Sequence, residues 1–372
     1  MSILNYEEGI DMCDLKKIRI LIAGDWRYTF YEEPLYKSFL ESGYDVYKFS
    51  WCQYYKYKYN KDLKGPKDII NYLYYKPQDR FTFGHIIKKI NRDLISVCKE
   101  YNIDLLFIYR GTHILPSTLI KIKSMGCKIF GYNNDDPFSK SYKSYYWRHY
   151  MDCIPYYDHI FAFRHKNIDE YKKIGYNNVS LLRGYYIKER NYYIKELKNN
   201  KYTCDVLFIG HFENDGRDKC IKKIFDEGIN IKIFGQNWRR SKLYPYFKSK
   251  LNYDIKPIYD DYNLAVNSAK IVLVFLSKVN NDTYTTRNFE IPVTKTMMIS
   301  EYTEDLASIF IPDKDAVFFT NCDELIYKIK YYLSNDEKRK YIAENGYNAV
   351  VDKHEVSNRM GEILDTYVKC CR

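Results

Sequence analysis

The chain has 372 residues, of which 46% are hydrophobic, 18% aromatic and 29% charged, with a formal net charge of +11. That length exceeds one ordinary core and suits two domains of roughly 150–200 residues each. The longest apolar runs, such as Ile271–Leu276, fall well short of the roughly 18 residues of a membrane span, and Met1–Glu8 lacks the basic flank and apolar core of a signal peptide.

After a polar leader, Ile18–Gly24 is a compact apolar run closed by glycine, with Asp25, Trp26 and Arg27 as the turn behind it. Glu33–Ser42 has helical spacing up to Gly43, and Tyr44–Phe49 reads as a second strand. Strand, turn, helix and strand in that order are how a parallel α/β sheet begins. A basic, tyrosine-rich region follows, helical in period over Ile86–Tyr101. Asp104–Tyr109 is a buried type of strand that ends in Arg110, Gly111, Thr112 and His113. A short helix before Gly126 leads to Lys128–Tyr132, which runs into Asn133, Asn134, Asp135, Asp136 and Pro137. Asp158–Phe163 is a further strand, Asn167–Ile174 a helix, and Val179–Leu182 ends at Arg183 and Gly184.

Tyr185–Tyr202 is charged and tyrosine-rich, without a buried strand. The expected organisation is a first domain over 1–190, a linker over 191–202 and a second domain over 203–372, with the last helix free to pack back on the first. The pattern restarts with Cys204–Gly210, a helix over Asp218–Glu227 and the strand Ile231–Gly235. Tyr262–Ala269 is helical before the strand Ile271–Leu276, and Thr296–Ser300 is a second short strand. Thr303–Phe310 is helical, Asp315–Phe319 a strand, and helices follow over Glu324–Leu333, Asp336–Gly346 and Val356–Val368. The predicted fold class is α/β: two Rossmann-like domains whose parallel sheets face a central cleft.

Ten cysteines without a C-x-x-C pair predict reduced thiols rather than a disulfide frame or a zinc site, and a cytoplasmic protein. Cys370 and Cys371 read as a frayed tail. Seven scattered histidines without ligand spacing predict no catalytic metal and no cofactor. Lysines and tyrosines interleave from Gln53 to Lys89, a composition that meets nucleic acid or an anionic membrane surface, or forms a plain solvated face. No nucleic-acid module is present, so no nucleic-acid partner is expected; a peripheral place at the inner face of the membrane is the other reading.

No G-x-G-x-x-G or Walker loop occurs. The densest polar constellation follows the strand 271–276: Asp282, Thr285, Thr286, Arg287 and Glu290. The two threonines can cap a short helix that carries Arg287 and Glu290 three residues apart on one face. Past a strand end in an α/β sheet, an arginine there can hold a phosphate and a glutamate the two hydroxyls of a ribose. The alternative is an ordinary surface ion pair. Gly210 leads into His211 and Arg217 ahead of a helix, a loop with backbone donors and a cation that suits a diphosphate. Gly235 precedes Trp238, which either borders a nucleobase or supports the loop.

The succession Val206–Gly210 with Arg217, Ile233–Gly235 with Trp238, Tyr262–Ser268, Arg287-x-Phe-Glu290-Ile-Pro and Leu306-x-x-Ile-Phe310 resembles the CgeB-type glycosyltransferase-like family. It is similar, more distantly, to the group-1 glycosyltransferases, whose two Rossmann-like domains form the GT-B fold. The resemblance covers about 203–362 and implies transfer of a sugar from a UDP, GDP or TDP donor to a glycan, lipid-linked or protein acceptor, without a metal. Two glutamates seven residues apart mark the donor site of the group-1 enzymes; Glu290 matches the second, and the first falls on Asp282. Lys295 stands where those enzymes usually have glycine. By the same resemblance Arg217 holds the donor diphosphate and Arg287 assists, and the N-terminal domain supplies the acceptor side. Candidates there are Asp25, Arg110, His113, Asp135 and Asp136, with Asp135 as a base; Asp135-Asp136-Pro137 also reads as a turn with a helix cap. A non-catalytic binding protein of the same fold, on a spore coat or surface polymer, and a basic nucleic-acid-binding protein are the alternatives.

Overall fold

The computed structural model describes residues 17–55 and 65–372. The polar leader and the Tyr57–Tyr59 part of the Lys/Tyr stretch lie outside the described residues. The chain divides into two compact units: the residues up to Arg183 together with Val356–Arg372, and Gly184–Glu355.

The first unit holds β1 (Arg19–Gly24), β2 (Asp45–Ser50), β3 (Leu105–Tyr109), β4 (Lys128–Asn133), β5 (His159–Ala162) and β6 (Val179–Leu181). They form one parallel sheet in the order β2-β1-β3-β4-β5-β6. Its helices are α1 (Glu32–Glu41), α2 (Pro66–Phe81), α3 (His85–Glu100), α4 (Pro116–Lys123), α5 (Arg148–Cys153) and α6 (His165–Lys173). Every residue of β3 is buried, because helices cover both faces of a parallel sheet; its sequence is therefore continuously apolar instead of alternating. The periodicity of α3 puts Ile86, Ile90, Leu94 and Cys98 on one buried stripe.

The second unit holds β7 (Cys204–Ile209), β8 (Ile231–Phe234), β9 (Ala269–Val274), β10 (Met297–Glu301) and β11 (Val317–Phe319), parallel in the order β11-β10-β9-β7-β8. Its helices are α7 (Arg217–Asp226), α8 (Tyr244–Leu251), α9 (Tyr262–Asn267), α10 (Arg287–Glu290), α11 (Glu304–Ile309), α12 (Cys322–Leu333) and α13 (Asp336–Val350). The final helix, α14 (Val356–Cys371), returns to the first unit and packs on α1. Its buried Arg359 donates to the Arg183 carbonyl at 3.0 Å and pairs with Glu362 at 2.6 Å. No helix among the described residues is long and apolar enough to cross a membrane.

Two sequence expectations differ from these findings. The stretch 191–202 is stitched to the second unit: the amides of Tyr192 and Ile194 donate to the side chains of Asn263 (3.1 Å) and Asn267 (2.9 Å). Polar side chains on α9 satisfy this irregular backbone, so it needs no strand pairing to be ordered. The cysteines are not all reduced thiols either, since Cys220 and Cys322 form a disulfide between α7 and α12, 102 residues apart. Nothing in local spacing signals a pairing of that span; packing of the two helix starts brings the Cα atoms to 5.2 Å.

In each sheet the strand order reverses once, between β1 and β3 and between β7 and β9. Such switch points open a crevice beyond the carboxyl ends of the strands. The second crevice requires a close backbone approach. Gly235 has φ +151°, and a Cβ there would lie 1.8 Å from the Gly210 carbonyl oxygen. The Trp238 indole N–H donates to that same oxygen at 2.9 Å. Gly235→Ala is therefore expected to cost about 2 kcal/mol or more of stability, read by urea unfolding; an unchanged midpoint would show that the two strand ends can move apart.

Candidate active site

At the β7–β9 crevice the buried Arg217, the first residue of α7, is the centre of the polar structure. Its guanidinium pairs with Asp215 (2.6 to 3.1 Å) and donates to the carbonyls of His211 (2.8 Å) and Leu276 (3.1 Å). Glu213 lies 3.6 Å away and accepts from the Lys278 amide at 2.9 Å. The loop after β7 and the loop after β9 are thus tied to one cation. Arg217 is spent on fixing both loops, so their backbone is what the crevice presents. Trp238 is buried to 1% exposure among Phe208, Phe212 and Phe247, and supports the loop from below. Gln236 and Tyr259, joined by a 3.1 Å hydrogen bond, are the neighbouring groups at the surface.

The 282–290 segment folds as a turn, closed by the Asp282 amide donating to the Ser277 carbonyl (2.9 Å), and the single turn of α10. Thr286 opens α10 without a side-chain cap; the Asn288 side chain instead accepts from the Thr285 amide at 2.8 Å. Asn288 is fully buried and also reaches Ser300 on β10, which fixes the helix to the sheet. Phe289 points inward against Tyr284 and stacks on His354, while Arg287 and Glu290 are partly buried. Glu290 accepts a 2.8 Å hydrogen bond from the Tyr262 hydroxyl of α9. Burial pushes its carboxyl above the usual carboxylate range, while Tyr262, Arg287 and Arg190 pull the other way. Burial, with Glu290 beside it, raises the Tyr262 hydroxyl well above its ordinary value. The His211 imidazole is pushed down by desolvation and then by the charge of Arg287. Arg287 therefore acts on both the β7 loop and Glu290, and joins two stretches far apart in sequence. The sequence assigns no role to Tyr262 or Arg190; Tyr262 lies in the Tyr262–Ser268 string, whereas Arg190 carries no local signal.

In the first unit a cavity of about 460 Å³ opens at the β1–β3 crevice, lined in part by Asp25, Asp79, Arg80, Thr82, Arg110 and His113. Arg27 and Trp51 are also in its wall. Asp25 pairs with Arg27 at 2.6 and 2.9 Å, and its amide donates to the buried Glu32 carboxylate at 2.8 Å. Arg110 and Gly111 both take left-handed backbone (φ +70° and +55°), which turns the chain sharply off β3. The Arg110 guanidinium pairs with Asp135 at 2.5 Å and donates to the Tyr146 hydroxyl at 2.8 Å. His113 is buried against Trp51 and hydrogen-bonds Asp79 at 3.1 Å. The buried Thr82 hydroxyl has no hydrogen-bond partner among the described residues. Asp25, Arg110 and His113 thus share one cavity, with Asp135 behind Arg110. Asp136 is wholly buried and accepts from the Phe138 amide, Asn167 and Lys166, which makes it the turn former of that string.

Two outcomes are expected. Arg217→Met, leaving Asp215 without its cation, lowers the stability of the nucleotide-free protein by about 3 kcal/mol or more; no change in its denaturation midpoint would mean that Arg217 only awaits a ligand. Because the folded protein raises the Glu290 pKa, it binds the proton more tightly than the unfolded chain, and this stabilisation is lost as pH rises through the folded value. Glu290→Gln should therefore melt at or above the wild-type temperature at pH 7, with the difference shrinking toward pH 4. A variant less stable than wild type at pH 7 contradicts this.

Residues 217–365 match the family described as Glycosyl transferase-like. No curated protein matches the chain in sequence. Among solved structures it is similar to sucrose-phosphate synthase from Thermosynechococcus elongatus, with 10% identity and a TM-score of 0.67 over 94% of this chain and 98% of that one. A glycosyltransferase from Rickettsia africae is 12% identical, with a TM-score of 0.62 over 96% and 99% of the two chains. Anabaena HepE, solved in complex with UDP, is 10% identical, with a TM-score of 0.57 over 94% and 99%. Together with the two parallel α/β units, these matches give the chain the GT-B fold, and residues 217–365 carry a glycosyl transferase-like domain.

Proposed function

We propose that the second unit holds a nucleotide-diphosphate sugar, with UDP, GDP or TDP as carrier, at the β7–β9 crevice, and that the sugar passes without a metal to a glycan, lipid-linked or protein hydroxyl met by the first unit. The observation that carries this reading is Glu290, held by Tyr262 and set beside Arg287 within the stretch that matches the family. A carboxylate accepts hydrogen bonds from both hydroxyls of a ribose, and Tyr262 fixes its orientation for that task. Arg287 meets the diphosphate, with His211 and the loop amides of the β7 end beside it. Arg217 acts as a positioning residue that holds this loop. Asp282 lies on the same segment, at the place where the group-1 pattern has its first glutamate. The UDP complex of HepE, a fold neighbour, supports a nucleotide ligand of this class.

The cavity at the β1–β3 crevice supports the acceptor side. Asp25 and Asp79 are the two carboxylates among its described lining residues, held by Arg27 and His113 respectively, and either can take a hydrogen bond from an acceptor hydroxyl. Arg110, braced by Asp135, gives the cavity a fixed cation. The CgeB-type subfamily is the finer reading that the motif order over about 203–362 supports.

Calorimetry with UDP, GDP and TDP, and with their sugars, tests the donor site. One nucleotide is expected to bind at micromolar strength, with Glu290→Ala and Arg287→Ala each weakening it by about tenfold or more. Failure of all three to bind below millimolar would remove the reading. Tight binding without transfer or hydrolysis across a panel of acceptors would make the chain a binding protein.

A further inference from the structure

Helix α2 carries its apolar stripe on the outside. Ile70, Leu73 and Tyr74 are 65%, 64% and 49% exposed, and Phe81, 40% exposed, follows eleven residues after Ile70. Offsets of three, four and eleven residues lie on one side of a helix. Among the side chains of α2 only Gln78 is fully buried, the reverse of an ordinary helix packed on a sheet. Ile69 and, just past the helix, Phe83 widen the patch.

The charges are sorted in the same way. Asp68 and Asp79, eleven residues apart, share the opposite side with Tyr75, which packs against the core, and Asp79 is engaged by His113. The exposed Lys67 and Arg80 flank the apolar stripe. Arg148 adds a cation beside Phe81, donating to the carbonyls of Phe81 and Thr82. In the surrounding sequence, Gln53–Lys89 has nine basic residues against three acidic ones. An apolar and aromatic stripe whose flanking charges, among the described residues of the helix, are cations is complementary to an anionic lipid surface. A second copy docking the same stripe on itself would bring Lys67 and Arg80 against their like charges.

We propose that α2 is an interfacial helix that seats this protein on an anionic bilayer, with Ile70, Leu73, Tyr74 and Phe81 entering the headgroup boundary and Lys67 and Arg80 meeting lipid phosphates. The end of the same helix supplies Asp79, Arg80 and Thr82 to the cavity of the first unit, so a hydroxyl borne by a lipid would reach that cavity directly. This last consequence rests on the acceptor reading; the membrane contact does not.

The test is flotation of the full chain with vesicles of phosphatidylcholine alone and of phosphatidylcholine mixed equally with phosphatidylglycerol. Wild type is expected to float with the mixed vesicles and to be released by high salt. Ile70→Ser combined with Leu73→Ser should weaken partitioning by about tenfold or more, with an unchanged melting temperature because both side chains face water. Lys67→Glu should weaken it on anionic vesicles alone. Wild type remaining with the unbound fraction, or the double variant floating equally well, overturns the proposal. Self-association of wild type that the double variant abolishes also overturns it, since the stripe would then cover a second copy.

Discussion

One buried guanidinium sets the geometry of the second unit. Arg217 gathers the carboxylate of Asp215 and the carbonyls of His211 and Leu276 around a single charge. Its burial would be costly without those partners, and with them it locks two loops that the sheet itself leaves unpaired beyond the strand ends. The close pass of Gly235 over the Gly210 carbonyl is held separately, by the Trp238 indole N–H on that oxygen and by the Gly210 amide donating to the Phe234 carbonyl at 2.8 Å. The crevice is therefore built on rigid strand ends and one ion cluster, and what it presents is backbone and the side chains of α10.

Glu290 shows a different balance. Burial works against its charge, while the Tyr262 hydroxyl and two neighbouring arginines favour it. A carboxylate kept under such opposed influences stabilises the fold poorly, and gains most when hydroxyl donors arrive from a ligand. The first unit uses the same logic at its own crevice. The pairings Asp25–Arg27, Asp79–His113 and Arg110–Asp135 hold charged groups at a cavity wall where the Thr82 hydroxyl has no partner among the described residues.

Lys295 illustrates how a departure from a family pattern acquires a physical meaning. Its backbone is left-handed (φ +56°), the conformation glycine adopts without cost, which accounts for a glycine at this point in related enzymes. Here the lysine instead pairs with Glu344 at 2.8 Å and lies over the Tyr347 ring, contacts that offset part of the backbone cost. The position ties the start of β10 to α13 and makes no contact of this kind with Glu290.

The strands and most helices were legible in the sequence because a parallel sheet covered on both faces demands unbroken apolar runs, as in Leu105–Tyr109 and Ile271–Leu276, and glycine marks the sharp turn at their ends. That Arg287 and Glu290 stand close together was legible too, because three-residue spacing on a helical turn places them on one side. Helix α2 was not, since its apolar stripe faces water and Pro77 interrupts it. Which groups meet was decided only by the tertiary structure. The Cys220–Cys322 pair, Tyr262 on Glu290, Asp79 on His113 and the inward turn of Trp238 join residues whose separations leave no local trace. The sequence by itself determined two α/β halves and the stretches where chemistry is concentrated, because periodicity and chain turns are local properties. Only the folded chain decided that Arg217 is consumed as a clamp and that Tyr262 meets Glu290, because the pairing of a charge depends on what the sheet brings within about 3 Å of it.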